Sequence, residues 1–199
     1  MTLVSDLQYF PSVIFFYELD KYTHCIFDQY EEYRKISFRN RCTLSGANGK
    51  IDLSIPLVGG RSQKTLMKDV TIDNKENWRA RHWKTITSCY NKSPWFDHYR
   101  DELEQLYSSK PELLIEWNQE CFKWVCDKMS IKTSWSLSSS YIREYNKNEF
   151  KDWRNHLVPN TLNKLYPLSK RYPQVFEERH GFITNLSILD YLFCQGNKL

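Results

Sequence analysis

The sequence predicts an α+β fold, in which a small, largely antiparallel sheet from the N-terminal third is followed by a helical C-terminal part packed against it. Three observations lead to this prediction. Apolar and polar residues alternate over residues 51–57, which is the period of a half-buried strand. The preceding dipeptide Asn48-Gly49 is typical of a hairpin turn, because both residues tolerate a positive φ. From residue 77 onward, apolar residues recur at helical spacing instead.

The strands of this sheet are predicted within residues 20–72. Before them, FPSVIFFYELDK predicts a short helix that starts at Pro11. Residues 22–28 (YTHCIFD) are rich in aromatic and β-branched side chains and indicate a strand. The segments SFRNRCTL and KIDLSIPL form the arms of the hairpin, and Pro56 marks an edge or a bulge. Residues 66–72 (LMKDVTI) predict one further strand.

Helices are predicted over most of the remaining chain. Over residues 77–91 one helical face carries Trp78, His82, Thr85, Ile86 and Cys89. FDHYRDELEQLY predicts a second helix, and a third opens with the capping box Ser109-x-x-Glu112. Residues 134–140 (SWSLSSS) indicate a loop, and a last helix begins near Asn185.

This order of elements predicts one domain over residues 1–199. It is expected to be sheet-rich over residues 1–73 and helix-rich over residues 74–199.

Composition and motifs limit the classes of function. The net charge of +4 is mild and no block of like charges occurs, so no nucleic-acid partner is expected. Aromatic residues make up 16% of the chain, which suits either a large core or a surface that stacks on sugar rings. The sequence contains no P-loop, no G-x-G-x-x-G, no G-x-S-x-G and no C-x-x-C pair. We therefore expect neither a cofactor nor a metal.

The N-terminal segment predicts neither a signal peptide nor a membrane span. It has no positively charged region, and its apolar run is interrupted by Pro11 and closed by Glu18 and Asp20. The six cysteines are expected to be free thiols, because a chain of this length needs no disulfide framework. Together these features predict a cytoplasmic protein.

Asn40 and Arg41 are the first candidates for a binding site. In a strand, Arg39, Arg41 and Thr43 share one face, whereas Asn40 lies on the apolar face, where an unpaired amide is costly. Asn40 is therefore either a ligand-facing group beside an anion-binding Arg41 or an amide bonded to a neighbouring loop. Both interpretations stay open.

His82 lies on the apolar face of the first long helix. It is either a core histidine with satisfied hydrogen bonds or a catalytic group. Arg79 and Arg81 flank it, and Tyr90 follows two turns later. Together these residues are candidates for one wall of a pocket that takes a phosphorylated or carboxylated ligand.

Carboxylates supply the remaining candidates. Asp28 ends an apolar strand, a position from which it can act as a general base or as the partner of an arginine. Glu178 and His180 precede the last helix, and they either belong to a solvated loop or contribute to a site. We predict that they form an ordered wall of the same cavity as Arg41 and His82.

The residues singled out so far follow the order and spacing of a known family. The segment LQYFPSVIFFYELDKYTHCIFDQYEEYRKISFRNRCTL, with GKIDLSIPL after it, resembles the N-terminal half of the WbqC-like family. Matching positions are Gln8, Tyr9, Pro11, Asp28, Asn40, Arg41, Pro56, Trp78, His82, Tyr90, Ser93, Pro94, Phe96, Leu113, Leu114, Asn118, Thr133, Ser138 and Ser139. The resemblance covers about residues 5–140, and the last quarter of the chain departs from the broader pattern.

The resemblance implies a role in the biosynthesis of a surface polysaccharide, such as O-antigen or capsule. We hypothesise a transferase that acts on a nucleotide- or lipid-linked amino sugar, with a small-molecule or sugar-linked substrate as its partner. The alternative is a non-catalytic carbohydrate- or nucleotide-binding accessory protein of a glycan pathway. The oligomeric state stays open.

In the transferase hypothesis each candidate residue has a role. Arg41, with Arg79 or Arg81, holds a phosphate or a carboxylate. His82 or Asp28 serves as the general base. Tyr90 and a tryptophan stack on the sugar or the base.

Overall fold

Four short parallel strands form the main sheet of the protein. The computed structural model describes residues 1–60, 62–167 and 170–198. Within these ranges the elements are β1 (Thr2–Ser5), α1 (Val13–Leu19), β2 (His24–Phe27), β3 (Arg41–Gly46), β4 (Gly49–Ser54), a 3₁₀ turn (Met67–Asp69), α2 (Trp78–Tyr90), α3 (Phe96–Ser108), α4 (Leu114–Met129), β5 (Ser134–Leu137), β6 (Phe150–Asp152), α5 (Leu162–Leu165), α6 (Glu177–His180) and α7 (Ile188–Gln195).

The prediction of a largely antiparallel sheet is wrong. The main sheet has the order β5-β2-β1-β6, and all three of its strand pairs are parallel. The antiparallel hairpin is a separate two-stranded sheet of β3 and β4. Strands β5 and β6 come from residues 134–152, where the sequence indicates irregular structure. Strands of three or four residues are too short to show a period, and their parallel partners lie far away in sequence.

The hairpin itself is confirmed. Six residue pairs join β3 to β4, from Arg41 opposite Ser54 to Gly46 opposite Gly49, and the turn needs a glycine because φ at Gly49 is +104°. Residues 66–72 do not form the predicted strand. They form the 3₁₀ turn and the isolated bridge partners Leu66, Thr71 and Ile72.

Aromatic side chains fill the space between the parallel sheet and helices α1 and α4. The ring of Phe122 in α4 lies 4.9 Å from that of Phe27 in β2 and 5.9 Å from that of Phe16 in α1. Trp135 in β5 lies 5.6 Å from the Phe122 ring. Burying a side chain of this size stabilises the fold by about 1.5–3 kcal/mol. This packing fixes the sheet against the helices and leaves the strand ends at one edge.

The predicted helices are present, but three of them begin later than predicted, and the first, α1, begins at Val13 rather than at Pro11. Helix α4 begins at Leu114 rather than after Ser109, whose hydroxyl instead donates to Glu120 Oε2 at 2.8 Å. Helix α7 begins at Ile188, and Ser187 Oγ accepts a hydrogen bond from the Leu189 amide at 3.3 Å. None of the helices in the described ranges is long and apolar enough to cross a membrane.

Candidate functional site at the strand ends

Polar residues follow each strand of the main sheet at the same edge. Because the strands are parallel, their carboxyl ends lie together, and open sheets of this kind bind ligands there, where the strand order reverses. Asp6 follows β1, Asp28 follows β2 and Ser138 follows β5, while Asp152 is the last residue of β6. The order reverses at β1, because β2 lies on one side of it and β6 on the other.

Asp28 is fully buried and ion-paired with Arg154. Arg154 Nη1 donates to Asp28 Oδ2 at 2.7 Å, and the other carboxylate oxygen accepts from the Tyr30 amide at 2.9 Å and from Ser138 Oγ at 3.2 Å. Ser138 in turn accepts from the Gln29 amide at 3.2 Å. The predicted catalytic carboxylate therefore has a partner at each oxygen.

Arg154 connects the ends of β2 and β6 to the chain that joins β5 to β6. Besides Asp28, its guanidinium donates to both oxygens of Asp152, at 3.0 and 2.6 Å, and to the carbonyl oxygens of Ile142 and Arg143. These bonds, chiefly that to Asp152, raise the pKa of Arg154. Burial opposes ionisation of Asp152, but the bonds from Arg154 outweigh it and lower the pKa of that carboxyl. Asp152 and Arg154 are therefore both charged at neutral pH.

A second buried network lies at the ends of β1 and β6. Arg39, with no exposed surface, donates from Nη2 to Glu31 Oε2 at 2.7 Å and to Asn155 Oδ1 at 3.1 Å. Asn155 Nδ2 donates to the same carboxylate at 3.1 Å, and the backbone amide of Asn155 donates to Asp6 Oδ1 at 2.8 Å. Arg39 Nε and Nη1, and Gln8 Oε1, are buried without a partner in the described chain.

Sequence reasoning did not select Arg39 as a site residue. Alternation along a strand placed it on the same face as Arg41, but β3 begins only at Arg41, so the pattern does not extend to Arg39. Glu31 was missed because it lies in the charged run QYEEYRK, which is typical of a solvated loop.

A pocket of about 430 Å³ opens beside this network, within the usual size range of small-molecule sites. Its lining is mainly aromatic and charged, and comprises Tyr30, Glu31, Glu32, Tyr33, Arg34, Leu66 and Tyr141. Tyr141 is 56% exposed, and its ring centre lies 6.0 Å from the guanidinium of Arg154. Tyrosine rings next to a fixed carboxylate suit a hydroxylated ring such as a sugar. We call this the strand-end pocket.

Asn40 and Arg41 lie near the pocket in sequence but contact other groups. Asn40 is buried, accepts from Tyr33 Oη at 2.8 Å and donates to the Ile55 carbonyl at 2.8 Å. Arg41 lies on the hairpin, 4.0 Å from the Asp52 carboxylate, and donates to the Lys35 carbonyl at 3.3 Å. The structure thus brings Asn40 to a residue of the pocket wall, and it holds Arg41 against the hairpin.

His82 is buried in the helical layer. Its Nε2 lies 3.2 Å from the Ser54 carbonyl, which can only accept, so the proton is on Nε2 and Nδ1 accepts from Tyr9 Oη at 3.0 Å. Tyr9 Oη is also hydrogen-bonded to Tyr107 Oη. Burial lowers the pKa of His82 to about 4. His82 therefore has both ring nitrogens engaged, and it contacts none of the strand-end residues described above.

Tyr90 takes part in the anchoring of α7. Its hydroxyl accepts from the Ser45 amide at 3.0 Å and donates to Asp190 Oδ1 at 2.7 Å. The other oxygen of Asp190 accepts from Tyr172 Oη at 2.8 Å and Gln174 Nε2 at 3.2 Å, and burial raises the pKa of Asp190 to about 6. Tyr90 is fully buried in this cluster, so its ring is not available for stacking on a ligand.

The remaining candidates lie on two other surfaces. Arg79 and Arg81 are in the first turn of α2, where Arg81 is exposed and paired with Glu76 at 2.6 Å. Glu178 is exposed on α6, and His180 Nε2 donates to the Gly46 carbonyl at 3.0 Å. Gly46 and Arg41 are at opposite ends of β3, about 17 Å apart at ~3.3 Å per residue. The structure therefore does not bring His180 to Arg41.

Comparisons with known proteins give one match. The model of the WbqC-like protein family matches residues 7–166 of the chain. No curated protein and no solved structure matches. The matched range contains every residue of the strand-end pocket and of the two buried networks except Asp6.

Proposed function

The chain belongs to the WbqC-like protein family, and on this basis we propose that it binds a sugar-linked substrate of surface polysaccharide biosynthesis and transfers a group to the sugar. The pathway is what the resemblance to the family implies. The single observation that supports the location of the binding site is the strand-end pocket, where tyrosine rings lie next to the carboxylate of Glu31. Arg39 and Asn155 hold this carboxylate in place.

Each part of the pocket has a role in this proposal. The sugar ring lies against Tyr141, the most exposed of the wall tyrosines, and its hydroxyl groups donate to Glu31. Arg39 fixes the orientation of that carboxylate through a charge-assisted hydrogen bond. Because a fixed carboxylate loses little entropy when the sugar binds, the arrangement favours affinity.

The assignment of a general base stays a prediction. Asp28 acts as a base only in a state in which Arg154 has left its Oδ2 oxygen, since Arg154 compensates its charge. His82 lies in a different layer, and its low pKa makes it a weak base. Of the two, Asp28 is the one at the strand ends, and we propose it as the base.

One observation favours the alternative of a non-catalytic carbohydrate- or nucleotide-binding protein. Both Asp28 and His82, the two residues predicted to be catalytic, have partners on each of their polar atoms. A purely structural network explains these contacts equally well. The two functions differ in whether bound substrate is turned over.

Binding and turnover are measured separately to test the proposal. The protein is incubated with pooled sugar nucleotides plus acyl and aminoacyl donors, and products are followed by mass spectrometry; binding is measured by calorimetry. Tyr141→Ala should weaken binding of the selected sugar about tenfold, because stacking contributes on this scale, while Tyr141→Phe retains the ring and the affinity. Product formation supports the transferase, binding without product supports the alternative, and the absence of both refutes the proposal.

A further inference from the structure

A second pocket, of about 420 Å³, lies between the start of α2 and the end of α3. Its lining includes Lys75, Arg79, Trp83, Glu104, Tyr107 and Lys110. It shares no lining residue with the strand-end pocket. We call it the helix pocket.

Arg79 is held in a fixed position without a charged partner. Its guanidinium lies 4.4 Å from the ring centre of Trp78, and Nη1 donates to Asn74 Oδ1 at 2.8 Å. Nε and Nη2 are buried with no hydrogen-bond partner in the described chain. Burial lowers the pKa of Arg79 by more than the attraction of the Glu120 carboxylate raises it, and Glu120 forms no ion pair with the guanidinium. The guanidinium therefore carries a positive charge with no ion-pair partner among the described residues, which an oxyanion from outside the chain can supply.

The other charges of the pocket leave it with an excess of positive charge. Among the residues that the structure describes, neither Lys75 nor Lys110 forms an ion pair. Both carboxylates of the lining are engaged: Glu76 pairs with Arg81 at 2.6 Å, and Glu104 accepts from Trp83 Nε1 at 3.0 Å. Three cations therefore face two carboxylates that already have partners.

Trp83 gives the helix pocket a flat surface on which a sugar ring can stack. Trp83 is half-buried, stacks on Phe96 with a ring separation of 6.1 Å, and is oriented by its bond to Glu104. A tryptophan fixed in this way, next to a cationic corner, suits a sugar that carries a phosphate.

We propose that the helix pocket binds a phosphorylated sugar, with the phosphate at Arg79, Lys75 and Lys110 and the sugar ring against Trp83. This second site is independent of the strand-end pocket, so it stands if the proposed function fails.

The test is a titration of the full chain with glucose 1-phosphate, followed by tryptophan fluorescence and calorimetry. Free glucose and inorganic phosphate are titrated separately. Arg79→Gln should weaken binding of glucose 1-phosphate tenfold or more, as expected for the loss of a charge-assisted hydrogen bond. Arg81→Gln removes an equal charge from the neighbouring surface and should change the affinity less than twofold.

A second variant shows whether a loss of binding arises from the pocket or from unfolding of the protein. Lys110→Gln alters an exposed side chain, and it should also weaken binding while the melting temperature stays that of the wild type. Binding of glucose 1-phosphate that exceeds that of phosphate alone supports the sugar contact. No binding up to 10 mM (roughly the millimolar limit of specific affinity), equal losses in Arg79→Gln and Arg81→Gln, or equal affinity for phosphate alone would overturn the proposal.

Discussion

The two ring nitrogens of His82 are both engaged, and this determines how the residue responds to pH. The ring donates to Ser54 and accepts from Tyr9, so the neutral form fits its surroundings without any change. A proton on Nδ1 would turn the acceptor into a donor that faces the Tyr9 hydroxyl, within a buried site. The pKa of about 4 follows from this burial, and it makes His82 a source of acid sensitivity.

We predict that His82 makes the protein less stable as the pH falls. Its folded pKa, about 4, lies below the ordinary value of 6.5, so the unfolded chain binds the proton first. The stability that neutral His82 contributes to the fold is fully present above pH 6.5. It is lost progressively as the pH falls from 6.5 to about 4. The difference in free energy of unfolding between the wild type and His82→Gln should therefore shrink by about 3 kcal/mol from pH 7 to pH 4.

Urea unfolding at several pH values measures this difference. His98→Gln is the matched control, because His98 is exposed on α3, and this variant should follow the wild-type pH dependence. If the two histidine variants show the same dependence on pH, the buried ring is not the source of the acid sensitivity.

At the level of elements, the hairpin and the long helices had local signals in the sequence, whereas the pairing of the parallel strands had none. The hairpin could be predicted because its turn dipeptide and alternating strand are contiguous. The order of the parallel sheet could not, because β1 pairs with β2 and β6, whose residues lie about 20 and 150 positions further along the chain. The same limit applies to the site: Asp28 was found from its position after an apolar strand, whereas Arg154 has no local signal that points to Asp28.

The chain between β5 and β6 is an element without regular structure that Arg154 holds in place. Lysine at this position keeps the positive charge beside Asp28, but its single ammonium group cannot reach both carboxylates and both carbonyls. We predict that Arg154→Lys increases amide hydrogen exchange over residues 139–149 by about tenfold or more, because the bonds to Ile142 and Arg143 are lost.

Exchange within α4 serves as the internal reference for this measurement. It should be unchanged in Arg154→Lys, because α4 packs on Phe27 and Trp135 through Phe122, and none of the Arg154 hydrogen bonds described above reaches α4. Uniform acceleration in both segments would show global destabilisation instead, and unchanged exchange over residues 139–149 would show that Arg154 does not hold this chain.

For the molecule as a whole, buried charges at the strand ends carry a cost in stability. Removing Arg39 and Glu31 from water is unfavourable, and their mutual attraction recovers only part of the penalty. Three polar atoms, on Arg39 and Gln8, stay without partners in the described chain, which adds to that cost. Replacing a buried ion pair by well-packed apolar side chains is often neutral or stabilising. In the proposed function, the charges are retained because they hold Glu31 in the orientation that binds the substrate.

This explanation predicts that stability and binding separate in a double variant. Arg39→Met alone leaves the partly buried Glu31 beside Asn155 without its cation, and it should lower the free energy of unfolding by about 3–5 kcal/mol. Adding Glu31→Gln removes the uncompensated charge, so the double variant should recover to within about 1 kcal/mol of the wild type. Sugar binding at the strand-end pocket should be lost in both variants. If the double variant is as unstable as the sum of its single changes, the network serves the fold, and its charges need no ligand to explain them.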